Sequence, residues 1–258
     1  MKNWVIVLFS DEPYIQKALN TIHAVRNNGS WKEDIVLLIP NSLFNNEAMK
    51  DFASNYNVEL RELPENNIKP IIDAWDKHKD HDNYSYTISR QYIYMKFHIF
   101  EEYFKKWDVV FYIDSGMNIH GSLERMKKTC EPDNCIYAHS DAYPSYVWKL
   151  ERQFNIELFS EEEKKDIYKY NLDIDHFQST MFIYDTKITD ENTVKNLFEL
   201  AFKYKYSYRM DQGILNLYFL CERNLWKQIP VKDEVGFLYD YHRRDNYSMH
   251  DYLMLKSY

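Results

Sequence analysis

Glycine is scarce in this sequence, and its scarcity excludes the common glycine-rich nucleotide-binding loops. Of the 258 residues only 5 are glycine, and none belongs to a G-x-G-x-x-G series, which lets a backbone approach a pyrophosphate. The one G-x-x-x-x-G spacing, from Gly116 to Gly121, is followed by Ser122 where a P-loop needs lysine. We interpret that spacing as chance.

Cysteine and positive charge are also in short supply. Cys130, Cys135 and Cys221 are an odd number, and the C-x4-C spacing of the first two suits neither a zinc knuckle nor a disulfide framework. A reducing compartment fits this usage best. Lysine and arginine total 32 against 40 aspartate and glutamate, so the net charge of −8 predicts no nucleic-acid partner.

The start of the chain lacks a long apolar run. Trp4–Phe9 is apolar, but Ser10 and Asp11 end the run after six residues, which is too short for a signal peptide or a membrane span. We therefore expect a cytoplasmic protein without a transmembrane segment. The hydrophobic content of 45% excludes disorder and is enough for a substantial core.

Strand and helix signals alternate in the first part of the chain. Trp4–Phe9 and Asp34–Ile39 are continuous apolar runs typical of strands covered on both faces, and a helical repeat lies between them. Residues 58–63 predict a third strand, and residues 64–86 are polar and irregular. This order is typical of a parallel α/β sheet, in which helices connect successive strands.

The rest of the chain predicts more strands and helices. A helical period covers 90–106, and Val109–Ile113 follows as a fourth buried strand. Further strands are predicted at 135–138, 177–184 and 226–229, and helices at 145–171, 191–205 and 211–221, before a polar tail. Because no linker or repeat separates the halves, we expect them to share one sheet.

Several charged residues stand where chemistry is expected. Asp114 follows the fourth strand directly, and ligand sites in such sheets lie at the carboxyl ends of strands. It can hold a divalent metal or a sugar hydroxyl, or it can cap the next turn. Asp211 opens an apolar helix, where a catalytic role and an ordinary helix-start role are both open. The adjacent Arg243 and Arg244 suit a diphosphate, with a solvated basic stretch as the alternative.

Six segments follow one another in an informative order. They are Phe9-Ser10-Asp11-Glu12-Pro13-Tyr14, Met95-Lys96-Phe97, Trp107-Asp-Val-Val-Phe-Tyr-Ile-Asp114, Ala138-His139-Ser140-Asp141, His176-Phe177-Gln178-Ser179-Thr180-Met181-Phe182-Ile183-Tyr184 and Asp211-Gln212-Gly213-Ile214-Leu215-Asn216, with His242 beyond them. In this order the chain resembles the nucleotide-sugar glycosyltransferases of the GT-A fold, nearest to the glycogenin and lipopolysaccharide galactosyltransferase group. The best local match is 211–216, which is similar to the group's D-Q-D-x-L-N motif.

The resemblance implies a fold and an activity. The fold would be a single α/β GT-A domain over 1–258, with a mixed, mainly parallel central sheet flanked by helices. Residues 1–121 would bind the nucleotide sugar, and 122–258 would bind the acceptor and catalyse transfer. The activity would move a sugar from a UDP-sugar to a hydroxyl of a glycan or small-molecule acceptor, with retention of anomeric configuration. Spacing leaves inversion open, and inversion would need Asp141 or Asp211 as general base.

The resemblance also implies roles for individual residues. It places Asp211, Gln212 and Asp141 in catalysis. It assigns donor binding to Ser10, Asp11, Tyr14, Lys96, Asp114, Ser115, Gly116, Gln178, Arg243 and Arg244. It makes Asp114 and His242 ligands of a divalent cofactor, Mn²⁺ or Mg²⁺. In addition, the aromatic residues Tyr143, Tyr146 and Trp148 offer a platform for an acceptor sugar, with packing as the alternative.

One departure from the group's pattern concerns the metal. The D-x-D motif is Asp114-Ser115-Gly116 here, so the second carboxylate is missing, whereas a divalent ion on a diphosphate needs several oxygen ligands at once. Three outcomes stay open: a metal held by Asp114, His242 and the diphosphate; neutralisation by Lys96, Arg243 and Arg244 without a metal; or a non-catalytic nucleotide- or carbohydrate-binding relative. A methyltransferase is disfavoured, because no glycine-rich loop follows the first strand.

Overall fold

A central sheet runs through the residues that the computed structural model describes, which are 2–64, 67–241 and 247–256. The strands are β1 (Trp4–Phe9), β2 (Asp34–Ile39), β3 (Glu59–Glu62), β4 (Val109–Ile113), β5 (Met117–Ile119), β6 (Ile136–Ser140), β7 (Phe177–Asp185), β8 (Trp226–Gln228), β9 (Phe237–Asp240) and β10 (Tyr252–Lys256). Within those ranges, seven strands form the central sheet in the order β3-β2-β1-β4-β7-β6-β8, and β5, β10 and β9 form a smaller one.

The central sheet is mixed and mainly parallel, which confirms the predicted fold class. β1 pairs in parallel with β2 and β4, β2 with β3, and β6 with β8, while β7 is antiparallel to both β4 and β6. The carboxyl ends of β1, β4 and β6 therefore meet the amino end of β7 at one edge of the sheet. Strands from both halves of the chain lie in this sheet, so residues far apart in sequence come together at that edge.

Hydrophobic cores cover both faces of the sheet, which explains the continuous apolar runs in the sequence. On β4, Val110 and Tyr112 pack into one core, whereas Val109, Phe111 and Ile113 pack into the other. All five side chains are fully buried. A strand covered on both sides lacks the alternation of apolar and polar residues that a half-exposed strand shows.

Helices connect the strands and flank the sheet. The α-helices are α1 (Ile15–Asn27), α2 (Asn41–Phe44), α3 (Glu47–Tyr56), α4 (Lys69–Trp75), α5 (Tyr84–Ser89), α6 (Glu124–Thr129), α7 (Glu161–Ile167), α8 (Thr193–Lys203) and α9 (Asp211–Leu215), which continues as a π-helix over Asn216–Glu222. Short 3₁₀ segments cover Glu12–Tyr14, Asp76–His78, Gln91–Phe100, Glu102–Lys106, Leu150–Gln153, Ile156–Leu158, Thr186–Ile188 and Met249–Asp251. In the part of the chain that the structure describes, no helix has the length and apolar character that a membrane span requires.

Three sequence expectations about helices are wrong. The stretch 64–86 is not irregular, because it contains α4 and the start of α5, and Trp75 in α4 is fully buried. The stretch 90–106 is two 3₁₀ segments instead of one α-helix, since Glu101 between them is extended. Only part of 145–171 is helical, in short pieces that end with α7.

The tail is also different from the polar segment that the sequence predicts. It contains β9 and β10, and β10 pairs in parallel with β9 and antiparallel with β5. Leu238, Leu253 and Met254 are buried in the same core as α1 and β2. Polar residues between these short strands mask the strand signal, but the small sheet is an integral part of the packed structure.

We expect Leu253→Ala to lower the free energy of unfolding by about 2–5 kcal/mol, because removing buried methyl groups loses their transfer free energy and leaves a cavity. Leu253 is 1% exposed, whereas the nearby Met249 is 43% exposed. Met249→Ala is therefore the control, with an expected change below about 0.5 kcal/mol. Urea unfolding measures both variants, and equal effects would mean that β10 adds little to the core.

Candidate active site

Acidic and amide side chains from distant parts of the chain come together at the shared edge of the sheet. Asp11 follows β1, Asp114 follows β4, and Asp141 follows β6. Gln178 lies at the start of β7, and Asp211 begins α9. Because β7 is antiparallel to β4 and β6, its amino end lies beside their carboxyl ends, and the site assembles at this shared edge.

Lys96 is the centre of this assembly. Its Nζ lies 2.8 Å from Asp211 Oδ2 and 3.5 Å from Asp114 Oδ1, and it donates a hydrogen bond of 3.1 Å to the Ser179 carbonyl. The Tyr112 hydroxyl donates to Asp114 Oδ1. The side chains of Lys96 and Asp211 are each only 1% exposed. Two predicted donor-binding residues, Lys96 and Asp114, are thus joined to the predicted catalytic residue Asp211 in one buried ion-pair network.

The charges in this network set each other's protonation states. Burial raises the pKa of Asp211, and the Lys96 ammonium opposes that rise. Burial alone would also raise the pKa of Asp114, but the charges of Lys256 and Lys96 and the hydrogen bond from Tyr112 hold it below its usual value. Burial would lower the pKa of Lys96, yet the two carboxylates more than compensate and raise it. Lys96 therefore stays charged.

A second group of polar residues surrounds Asp141. Its Oδ2 accepts hydrogen bonds from Gln212 Nε2 at 3.2 Å and from Gln153 Nε2 at 3.3 Å, and it lies 3.2 Å from His176 Nε2. Burial would raise the pKa of Asp141, but His176, the Gln212 amide and the charge of Arg209 lower it overall. The structure thus brings the three predicted catalytic residues together: Gln212 contacts Asp141 and adjoins Asp211 in the chain.

The predicted donor residues near β1 lie on a turn beside this group. Ser10 is buried, and the Asp11 carboxylate caps the next turn by accepting from the Tyr14 amide at 3.3 Å. Burial raises the pKa of Asp11 above its usual value. Ser115 Oγ donates to the Phe9 carbonyl at 3.1 Å, which ties the end of β4 to the end of β1. Tyr14 is exposed, and the Lys17 ammonium lies 5.5 Å from its ring centroid.

Gln178 lies apart from the Lys96 network. Its Oε1 accepts from the Tyr239 hydroxyl at 3.1 Å and from Thr180 Oγ1 at 3.4 Å. Tyr239 and Thr180 also share a hydrogen bond of 2.6 Å. Gln178 therefore connects β7 to β9, and the contacts in the described residues do not join it to Lys96 or Asp211.

The described residues do not fit the divalent ion that the resemblance implies. Both oxygens of Asp114 already have partners, namely Tyr112 and Lys96 on Oδ1 and Lys256 on Oδ2. Gly116 supplies no carboxylate, and its φ of 82° lies in the left-handed region that favours glycine. Across 2–64, 67–241 and 247–256, no group of three or more His, Cys, Asp or Glu side chains could hold a metal ion. The predicted residues His242, Arg243 and Arg244 lie outside these ranges.

Several site residues are not in the sequence-based set. Ser179 and His176 lie within a segment that the resemblance already identifies, so their position in the chain could have signalled them. Gln153 and Lys256 reach the site from a 3₁₀ segment and from the last described strand. No local pattern marks them, because only the tertiary structure places them beside Asp141 and Asp114.

We expect Lys96→Met to lower the free energy of unfolding by about 3–5 kcal/mol near neutral pH, because Asp211 would be buried without its cation. The loss of Lys96 would raise the pKa of Asp211 further. A carboxyl whose pKa is higher in the folded state than in the unfolded state holds its proton better when folded. The variant should therefore recover part of the lost stability as the pH falls.

Urea unfolding near neutral pH and at about pH 5 measures this effect, since the ordinary pKa of aspartate is near 4. The double variant Lys96→Met with Asp211→Asn removes the unpaired charge and should be more stable than Lys96→Met alone. A loss of stability that does not change with pH, and is not relieved by Asp211→Asn, would contradict the ion-pair interpretation.

Comparisons with known proteins identify the fold. The chain is similar to the glycosyltransferase GlyE of Streptococcus pneumoniae, with a TM-score of 0.55 and 15% identity over 88% of this chain and 45% of that one. It is also similar to the galactosyltransferase LgtC in complex with donor and acceptor sugar analogs, with a TM-score of 0.54 and 18% identity over 87% of this chain and 72% of that one. A third similar structure is the Mn/GDP form of core-mannan synthase A from Aspergillus fumigatus, with a TM-score of 0.53 and 9% identity over 88% and 73% of the two chains.

These similarities concern the structure and not the sequence. No protein-family model matches the chain, and no curated protein sequence matches it at a significant level. The chain spans less than half the length of GlyE. What all three structures share with it is the arrangement of the central sheet and its flanking helices, and the chain has the fold of the GT-A glycosyltransferases.

Proposed function

We propose that this protein is a glycosyltransferase that moves a sugar from a nucleoside-diphosphate sugar, most simply a UDP-sugar, to a hydroxyl of a glycan or small-molecule acceptor. The observation that carries the proposal is the buried network of Lys96, Asp114 and Asp211, joined through Gln212 to Asp141. It lies at the edge of the sheet where α/β proteins bind ligands. The fold shared with GlyE, LgtC and core-mannan synthase A supports the same reaction class.

The reaction needs opposite charges to be stabilised at two places. When the bond between the anomeric carbon and the diphosphate oxygen breaks, negative charge grows on the phosphate and positive charge grows on the sugar ring. The lysine ammonium groups beside Asp114 would stabilise the negative charge on the phosphate. Asp211 and the amide of Gln212 would stabilise the positive charge on the sugar ring, because carboxylate and amide oxygens stabilise a neighbouring cationic centre.

In this proposal the first half of the chain, 1–121, supplies most of the residues that bind the donor, and the second half, 122–258, binds the acceptor and catalyses transfer. Ser10, Asp11 and Tyr14 would contact the nucleoside, with the exposed Tyr14 ring available to stack on a base. Gln178 would contact the donor through its amide. Arg243 and Arg244 would approach the diphosphate, since the guanidinium fork pairs well with phosphate oxygens.

We further propose that the sugar is transferred with retention. Inversion would need a carboxylate that removes the acceptor proton, but Asp211 is buried against Lys96 and Asp141 has a lowered pKa. Asp211 is therefore held by Lys96 away from an acceptor hydroxyl, and Asp141 is a weak base. In the retaining reaction the departing phosphate oxygen can take the proton of the attacking hydroxyl, so the acceptor oxygen gains the sugar and the nucleoside diphosphate leaves protonated.

The acceptor would bind on the aromatic segment that follows Asp141. Tyr146 and Trp148 are 45% and 51% exposed, and the Arg152 guanidinium lies 5.6 Å from the Trp148 ring centroid. Exposed aromatic rings suit sugar faces, which present C–H groups to a π-system. We therefore propose Trp148 as a contact for the acceptor sugar.

A second candidate function is a binding protein that retains the nucleotide site without transfer. Gly116 favours it, because the missing carboxylate removes one ligand of the expected metal. This candidate predicts that a nucleotide binds but that no donor is consumed.

The test is an assay of donor consumption with a panel of UDP-sugars and GDP-sugars, with calorimetric titration of UDP and GDP alongside. We expect Asp211→Asn to lower turnover by at least about 100-fold, which is the usual cost of losing one group that stabilises transition-state charge. Asp185→Asn is the matched control, because Asp185 is equally buried but lies at the other end of β7. It should leave the turnover of folded protein unchanged.

The outcomes of this experiment separate the candidates. Nucleotide binding with no consumption of any donor would support the binding protein and overturn the glycosyltransferase proposal. Equal turnover in Asp211→Asn and wild type would remove Asp211 from the reaction. For an active donor, proton NMR of the first product reports the anomeric configuration, and an inverted product would overturn retention.

We expect Trp148→Ala to raise the KM for the acceptor by about two- to tenfold while leaving donor hydrolysis unchanged, in line with the energy of one aromatic contact. Tyr168→Ala is the control, since Tyr168 is equally exposed, at 52%, but lies at the end of α7. Steady-state kinetics with varied acceptor measure both, and an unchanged KM in Trp148→Ala would show that the acceptor binds elsewhere.

A further inference from the structure

The last described strand places a second lysine on Asp114. In the register of β10 with β5, Lys256 lies opposite Met117, which is one residue beyond Gly116. Its Nζ is 3.2 Å from Asp114 Oδ2 and donates to the Ser115 carbonyl. The side chain is 14% exposed. The ammonium therefore sits on the D-S-G turn, on the carboxylate oxygen that Lys96 does not contact.

The two lysines on Asp114 differ in how accessible their ammonium groups are to a ligand. Lys96 is almost fully enclosed, and Asp211, Asp114 and Ser179 surround its ammonium. Lys256 is more exposed, and two acceptors contact it in the described residues. A lysine ammonium has three N–H donors. Within the described part of the chain, one donor is therefore left for an oxygen of a bound diphosphate.

The charge at this turn is balanced without a metal. The D-x-D pattern would combine two carboxylates with one dication, which gives a net charge of zero. Here Gly116 removes one carboxylate, and the carboxylates of Asp114 and Asp211 with the ammonium groups of Lys96 and Lys256 again give zero. A dication added to the present site would meet a single carboxylate whose oxygens already contact two ammonium groups, and this repulsion disfavours it.

From this geometry we propose that Lys256, held by Asp114 and the Ser115 carbonyl, takes the place of a divalent ion, so that donor binding and turnover need no metal. The inference rests on the proposed glycosyltransferase function and names Lys256 as the cation that acts on the donor diphosphate. As the donor bond breaks, the sugar–oxygen electron pair goes to the phosphate oxygen. The ammonium stabilises that charge through a hydrogen bond without giving up its proton. Lys256 is then a catalytic residue, and Asp114 positions it.

The position of Lys256 is defined by packing. Leu253 and Met254 on the same strand are buried in the core, and Met254 pairs with Ile119 in the small sheet. Lys256 is the last residue of this strand and pairs with Met117 of β5. A preorganised cation near the leaving group stabilises the developing negative charge without reorganisation during the reaction.

The test compares UDP binding by calorimetry, and turnover of the active donor, in EDTA and in Mn²⁺. We expect wild-type protein to bind UDP and turn over donor equally under both conditions. In EDTA, Lys256→Met should weaken UDP binding by about 10- to 100-fold, since charge-assisted hydrogen bonds contribute roughly 1.5–3 kcal/mol each. Lys256→Arg keeps the charge and should stay within a few-fold of wild type.

Lys127→Met is the matched control, because Lys127 is an ion-paired lysine of similar exposure, 15%, that pairs with Glu33 and Glu124. It should leave UDP binding unchanged in EDTA. Thermal unfolding of each variant verifies that it is folded. The wild-type comparison of EDTA with Mn²⁺ needs no variant, so the proposal can be overturned even if Lys256→Met does not fold.

Each result has a defined meaning. Turnover that is present in Mn²⁺ and lost in EDTA would overturn the role of Lys256 as the cation and leave the glycosyltransferase proposal standing. UDP binding by Lys256→Met that equals wild type in EDTA would also overturn it. No turnover of any donor under either condition would overturn the proposed function, and this inference would fall with it.

Discussion

The buried ammonium of Lys96 is the interaction on which the rest of the site depends. It contacts Asp114 at the end of β4, the Ser179 carbonyl on β7 and Asp211 at the start of α9. A charge removed from water is tolerated only when it is paired and hydrogen-bonded, and these partners come from three separate elements. The lysine therefore holds α9 against the sheet edge, and this brings Gln212 next to Asp141.

Hydrogen bonds and close packing complete the attachment of α9. The Asn216 side chain accepts from the Phe177 amide and donates to the Phe177 carbonyl, both at 2.9 Å, and so replaces a strand neighbour for β7. At Gly213 a Cβ would lie 2.7 Å from Ser207 Oγ, so only glycine permits the helix to come this near. The position of Gln212 is thus set by the hydrogen bonds of Asn216 to β7 and by the close approach of the Gly213 backbone to Ser207.

The buried network also gives Asp114 an unusual environment. A carboxylate at the end of a parallel strand is open to several partners, and here lysines from two distant segments contact its two oxygens. The left-handed backbone at Gly116 turns the chain into β5, and β5 in turn pairs with β10. One glycine therefore both removes a carboxylate and directs the chain toward the strand that carries Lys256.

The sequence alone was enough for the chain order of the first four strands and for the mainly parallel sheet, whereas the grouping of Asp114, Asp141, Asp211 and Gln212 was implied only by the family resemblance. Buried strands are continuous apolar runs, and residues that follow such strands meet at one edge whatever the details of packing. The 3₁₀ form of Gln91–Phe100, the strands in the tail and the contact of Lys256 with Asp114 came only from the tertiary structure. They depend on pairings between residues up to 142 positions apart, and a local pattern of apolar and polar residues contains no information about which distant segment will supply a partner.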